Sequence, residues 1–173
     1  MENNVNFIFL GSVLTFLATA CVEYIKWVLI RREKKANFLL LATQQLAAIE
    51  KGFERLKVAL EQKNYFDYLV LDSLDRGAKS LESYKNDSIY LRSGPAKEKF
   101  IDLITDISMY LADTRSVQQL FYAERTKISG RDPSAIFQTE SELQKYFDGQ
   151  KVQKSIDLIE IRRRISDFVR EAK

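Results

Sequence analysis

The 173-residue chain contains no histidine and a single cysteine, Cys21. Without histidine there is no Ser-His-Asp or Cys-His nucleophile and no His-ligated metal centre. One cysteine excludes both a disulfide within the chain and a zinc site built from cysteines. The six glycines, at 11, 52, 77, 94, 130 and 149, are too scattered to build a phosphate-cradling loop. Proline occurs only at 95 and 133, and no strand-like alternation bounded by hairpin turns occurs anywhere.

Carboxylates could still bind Mg²⁺ or act as acid and base. Asp102, Asp106 and Asp113 lie at helical spacing, and Asp102 and Asp106 fall one turn apart on one face. Amphipathic helices place acids this way to stay solvated, which is favoured over a Mg²⁺ or general-acid role. The expectation is a protein that is not an enzyme, with no cofactor and no metal.

What the chain does have is one long apolar run. Asn3 to Val22 carries no charge, and Val5 to Ile30 is interrupted only by Glu23 and Lys26. Twenty residues of helix rise ~30 Å, the thickness of a bilayer's hydrocarbon. No polar face appears before Glu23, so the run predicts a transmembrane helix over 1–30.

Its flanks predict the orientation. Lys26, Arg31, Arg32, Lys34 and Lys35 follow the apolar run, and no base precedes it. Lys and Arg collect on cytoplasmic flanks, so the N-terminus is expected outside and residues 31–173 in the cytoplasm, at a cell's inner membrane. Glu23, Tyr24, Lys26, Trp27, Arg31, Arg32, Lys34 and Lys35 are the membrane-interface residues, with lipid as their partner. Tyr24 and Trp27 suit the headgroup layer, and Glu23 and Lys26 can pair across one turn. Leu17 to Cys21 has the look of a lipoprotein cleavage box. Cleavage needs a basic segment ahead of the apolar core, and Glu2 is the one charge there.

Beyond Lys35 the chain has 22 Lys and Arg against 21 Asp and Glu, a balance that disfavours nucleic acid as a partner. Leu39, Ala42, Leu46, Ile49, Phe53, Leu56 and Leu60 recur at alternating spacings of three and four, a heptad seam. With no break before Gly52, one nearly continuous helix is expected from the membrane to about Lys63. Residues 31–63 form this basic flank and seam, and 64–173 the rest of a helical bundle.

Asn64 can cap a second helix from near Tyr65, burying Phe66, Leu69, Val70, Leu74, Ala78 and Leu81. Ser88 to Gly94 reads as a connection with Ile89 and Leu91 tucked inward. Pro95 suits the first turn of a third helix. That helix runs to about Ile128 with its own seam of Phe100, Ile104, Ile107, Leu111, Thr114, Gln118 and Phe121. Asp132-Pro133 predicts the cap of a short helix that buries Ile136, Phe137, Leu143, Tyr146 and Phe147 and ends near Gly149. A last helix presents Ile156, Leu158, Ile159, Ile161, Ile165, Phe168 and Val169. The fold class is therefore all-α: one N-terminal transmembrane helix continuing into a cytoplasmic antiparallel bundle of four or five helices.

Three constellations could carry function. Arg162, Arg163 and Arg164 could meet phosphates, against the simpler reading of a solvated helix edge. Tyr65, Phe66, Tyr68, Tyr84, Tyr90, Tyr110, Phe121 and Tyr122 could line a ligand pocket, against core and helix-end packing. Gly11, Thr15 and Ala18 make a small-residue face in the membrane, roughly in register with the Leu39 seam. That face and the seam from Leu39 to Leu60 are the candidate self-association residues, with packing inside the chain's own bundle as the alternative for the seam.

One anchor plus a cytoplasmic helical bundle is the plan of many small bacterial signalling, scaffold and stress or phage-defence subunits, an analogy of architecture only. Two functions fit the residues. The first is a non-enzymatic scaffold or protein-interaction module, itself a homo-oligomer or bound to a protein partner. The second is a membrane effector or accessory subunit whose assembled spans perturb the bilayer.

Overall fold

The computed structural model describes residues 2–61, 68–91 and 94–172. Helix α1 spans Glu2–Glu61, α2 Tyr68–Ser83, α3 Gly94–Ser129 and α4 Glu140–Ala172, with a 3₁₀ turn at Asn86–Tyr90 between α2 and α3. The chain is all-helical, with no strand among the described residues.

The first helix has 60 residues and is ~90 Å long at 1.5 Å per residue. Its two halves have opposite surroundings. From Val13 to Ile30 nearly every side chain is exposed, and this stretch is long and apolar enough to cross a membrane. From Phe38 onward one face is buried, including Ala42, Leu46, Ile49, Phe53 and Leu56. Leu39 lies at the margin of the core, and the side chain of Leu60 falls outside the described residues.

Residue pairs between neighbouring helices run in opposite order along the chain. Gln45 Nε2 of α1 donates to the Gly77 carbonyl of α2 at 3.2 Å. Ser108 of α3 donates to Glu82 of α2 at 3.1 Å, and Arg115 further along α3 pairs with Asp75. Lys99, Asp106, Asp113 and Arg125 of α3 meet Glu171, Arg164, Lys154 and Glu140 of α4 in turn. Arg162 of α4 closes the ring on Glu54 of α1. Helix α4 thus meets both α3 and α1.

The interior is layered by aromatic rings. Phe38, Phe100 and Phe168 meet near the start of the packed part of α1, with ring centroids 5.2 and 5.3 Å apart. Phe53 and Tyr110 follow at 5.6 Å, and Phe121 and Phe147 at 4.3 Å. A fully buried Leu or Phe contributes ~1.5–3 kcal/mol and an exposed ion pair only ~0–1. The apolar seams hold the bundle, and the surface charges select which faces meet.

Several sequence expectations are corrected. The cap at Asn64 and the side chain of Phe66 lie outside the described residues. In α2 it is Leu71 that is buried with Leu74, Ala78 and Leu81, whereas Leu69 faces solvent. Ile89 also points outward, and Ser88 takes the buried place in the 3₁₀ turn. The short helix after Pro133 does not form. Asp132 Oδ1 instead accepts the Ser134 N–H at 2.8 Å, and Glu124 Oε2 takes the Ile136 N–H at 2.6 Å, so these donors are held outside a helix.

Helix α4 begins seven residues later, at a reciprocal cap. Thr139 Oγ1 accepts the Glu142 N–H at 3.2 Å, while Glu142 Oε2 accepts the N–H groups of Gln138 and Thr139. It then runs through Gly149 without a break. Leu143 and Phe147 are buried and Phe137 half-buried, but Ile136 and Tyr146 are exposed. Further along, Leu158, Ile161, Ile165 and Phe168 point inward, and Ile156 and Ile159 do not.

Candidate functional site

The residues expected at the membrane interface occupy consecutive turns of α1, just before its first buried side chain. Their spacing follows from the helix: Trp27 and Arg31 are four apart, so the guanidinium lies over the indole, 5.1 Å from the ring centroid. Tyr24 stacks on Trp27 at 6.2 Å, and Lys26 donates to Glu23 at 2.9 Å. The Glu23–Lys26 pair is exposed on both sides, so it is a local one-turn contact with no buried charge.

Tertiary structure adds a residue from far along the chain. The 3₁₀ turn packs on α1 and brings Tyr90 to this face. Lys34 Nζ lies 5.7 Å from the Tyr90 ring centroid. Tyr90 closes one side of an open groove of about 340 Å³ whose other walls are Tyr24, Trp27, Val28, Arg31, Arg32 and Lys35. Among the described residues no acidic side chain lines it. Among the described residues, Arg31, Arg32, Lys34 and Lys35 make no ion pair with a carboxylate, unlike most basic residues of the bundle. The turn also leaves Ile89 exposed beside Tyr90.

The seam from Ala42 to Leu56 is buried against the chain's own helices, so this face is closed to a second copy in the folded chain. Thr15 and Ala18 are exposed on α1; Gly11 belongs to the same helix, and its surroundings lie outside the described residues. A different apolar face is open. Val152, Ile156 and Ile159 of α4 are 63%, 56% and 60% exposed. Their spacings of four and three place them on one stripe, on the side of α4 away from Lys154, Leu158 and Ile161. The sequence predicts burial for Ile156 and Ile159.

The remaining constellations are absorbed by the bundle. Arg162 and Arg164 pair with Glu54 and Asp106 on two other helices, and Arg163 binds Glu160 and Asp167 on its own. The Glu160 contact raises the Arg163 pKa and lowers that of Glu160. Asp106 and Asp113 are taken up by α4 and Asp102 stays exposed. Among the described residues these aromatic side chains form no common pocket: Tyr110 and Phe121 are core, Tyr68 and Tyr122 face solvent, and Tyr84 is half-buried, while Tyr65 and Phe66 lie outside the described residues.

One buried cation escaped the sequence reading. Lys154 is 4% exposed, with its ammonium paired to Asp113 and 5.8 Å from the Tyr110 ring centroid. Burial lowers its pKa, against the raising effect of Asp157. The Tyr110 hydroxyl donates to the Lys154 carbonyl at 3.2 Å, and burial pushes the phenol pKa far up. Among the described residues no three acidic or cysteine side chains converge as a bound cation would require.

No family model matches the chain, and neither a curated protein nor a solved structure matches it.

Proposed function

We propose that the chain is a single-pass inner-membrane protein whose cytoplasmic helical bundle is a non-enzymatic protein-interaction module. The observation that carries this reading is the division of α1. One unbroken helix supplies an apolar stretch that is exposed at nearly every position from Val13 to Ile30 among the described residues, and then a seam that is almost wholly covered. A core helix would bury the first part. Without a break, the span and the bundle move as one body, which suits a part that presents a surface at a fixed height above the bilayer.

The presented surface is the Val152–Ile156–Ile159 stripe, and its occupant is a second copy of the chain. The seam from Ala42 to Leu56 is spent on the fold, so copies meet through this stripe, and through Gly11, Thr15 and Ala18 where the spans approach. The second reading, a membrane-perturbing effector, draws less support because Glu23 and Lys26 satisfy each other on one helix.

Crosslinking of the full chain in native membranes tests the proposal. Wild type should give discrete oligomers, and Ile156→Lys with Ile159→Lys should return monomer with unchanged helical circular dichroism. Gly11→Leu with Ala18→Leu should weaken the same oligomer independently. A wild-type chain that crosslinks neither to itself nor to another protein would end the interaction reading.

A further inference from the structure

We propose that the groove between α1 and the 3₁₀ turn is a binding site for the phosphate headgroup of an anionic phospholipid. The inference rests on the membrane-anchored reading and goes beyond it. An anchor needs only a diffuse basic flank, whereas this groove is a discrete site to which a distant segment contributes a wall.

Three observations point to this ligand. The first is charge: Arg31, Arg32 and Lys35 line the groove, and among the described residues no acid does and they lack the carboxylate partners that Arg115, Lys154, Arg162 and Arg164 have. Arginine forks match phosphate oxygens two at a time, and juxtamembrane bases select anionic lipid. The second is the aromatic frame. Trp27 under Arg31, and Tyr90 under Lys34, hold two of the cations by cation–π contact and are the ring types that settle at headgroup depth. The third is Ile89, 62% exposed on the same turn, which can enter the acyl boundary once the headgroup is bound. The groove volume of about 340 Å³ falls in the ~300–1,000 Å³ range of small-ligand sites.

Trp27 is the only tryptophan in the chain, so it reports on its own groove. The full chain is reconstituted in phosphatidylcholine vesicles holding equal minority fractions of acyl-brominated phosphatidylglycerol or acyl-brominated phosphatidylcholine. Quenching of Trp27 should be about twofold stronger with the anionic lipid. Arg31→Gln, Arg32→Gln and Lys35→Gln together should abolish that excess. Tyr90→Ala, which leaves net charge unchanged, should halve it or more, with circular dichroism intact. Lys145→Gln, near the opposite end of the bundle, should leave it untouched.

Equal quenching by the two lipids would overturn the proposal. So would an excess that survives Tyr90→Ala, since diffuse attraction needs no tyrosine. A Trp27 emission change produced equally by inorganic phosphate over neutral vesicles would assign the groove to a free anion and reject the lipid. Complete extraction of the wild-type chain from vesicles by alkaline carbonate would instead reject the anchor itself.

Discussion

Gly52 of α1 and Leu74 of α2 meet where the two helices approach: a Cβ added to Gly52 would lie 2.6 Å from Leu74 Cδ2 and 3.1 Å from its Cγ. Gly77 faces Ile49 and Gln45 across the same contact, where a Cβ would come within 3.2 Å of each. The pair of glycines lets the two backbones come close, and the Gln45–Gly77 hydrogen bond fixes the register.

Two glycines within helices should therefore respond oppositely to alanine. Gly149 has open space around it in the interior of α4, so Gly149→Ala should stabilise by ~1 kcal/mol through helix propensity. Gly52→Ala makes the same gain but drives a methyl into buried Leu74, an overpacking cost of ~1–3 kcal/mol, so it should be neutral to destabilising. In a Leu74→Ala background the clash is gone, and Gly52→Ala should turn stabilising. Urea unfolding of wild type and the four variants gives the sign; a stabilising Gly52→Ala in wild type would refute the close contact.

Lys154 should be replaceable. Its ammonium is desolvated and its partner Asp113 is exposed, so the pair returns little. Lys154→Met keeps the stem and removes the charge; stability at neutral pH should be unchanged or raised by ~1 kcal/mol. The folded-state pKa lies below the unfolded value, so the folded chain releases this proton first and stability gains as pH rises toward the lysine range. Lys154→Met should abolish that gain. A loss of more than ~2 kcal/mol in the variant would show that the ammonium is needed for the fold.

The connection from α3 to α4 should be acid-sensitive. Glu124 is held below the usual carboxylate range by the Lys127 ammonium first, and by the Ile136 N–H. A depressed folded pKa contributes stability that is complete above the unfolded pKa of ~4.3 and is lost as pH falls through the folded value. Protection of the Ile136 amide, taken against its intrinsic exchange rate at each pH, should fall in that acid window. Glu124→Gln should raise exchange there at neutral pH and flatten its pH dependence, whereas unchanged protection would show that the turn holds itself.

The proposed orientation rests on the basic flank. A reporter active only in the cytoplasm should work when fused after Lys173 and stay silent before Met1. Changing Arg31, Arg32, Lys34 and Lys35 to Gln should erode the difference, because Lys and Arg bias sets it. An active N-terminal fusion in the unchanged chain would invert the assignment.

The sequence by itself determined the helical class, the unbroken α1 and the seams of α1 and α3. These are periodic signals in which neighbouring residues all vote for one face, and every described seam position from Ala42 to Leu56 and from Phe100 to Phe121 is buried. The sequence also carried the start of α4 in Thr139 and Glu142, a capping signal masked by the more obvious Asp132-Pro133. That competition was decided outside the segment, by the Glu124 carboxylate one helix earlier.

Tertiary structure alone decided which of several apolar residues on α4 face inward. Leu158 and Ile161 are buried while Ile156 and Ile159 are not, because α4 packs between α1 and α3 and its opposite side stays outside both contacts. The groove is of the same kind. Its bases were legible as a run, but Tyr90 joins them only because the α2–α3 turn returns the chain to α1. Periodicity in sequence reports the face a helix hides, and only packing brings two distant segments to one place.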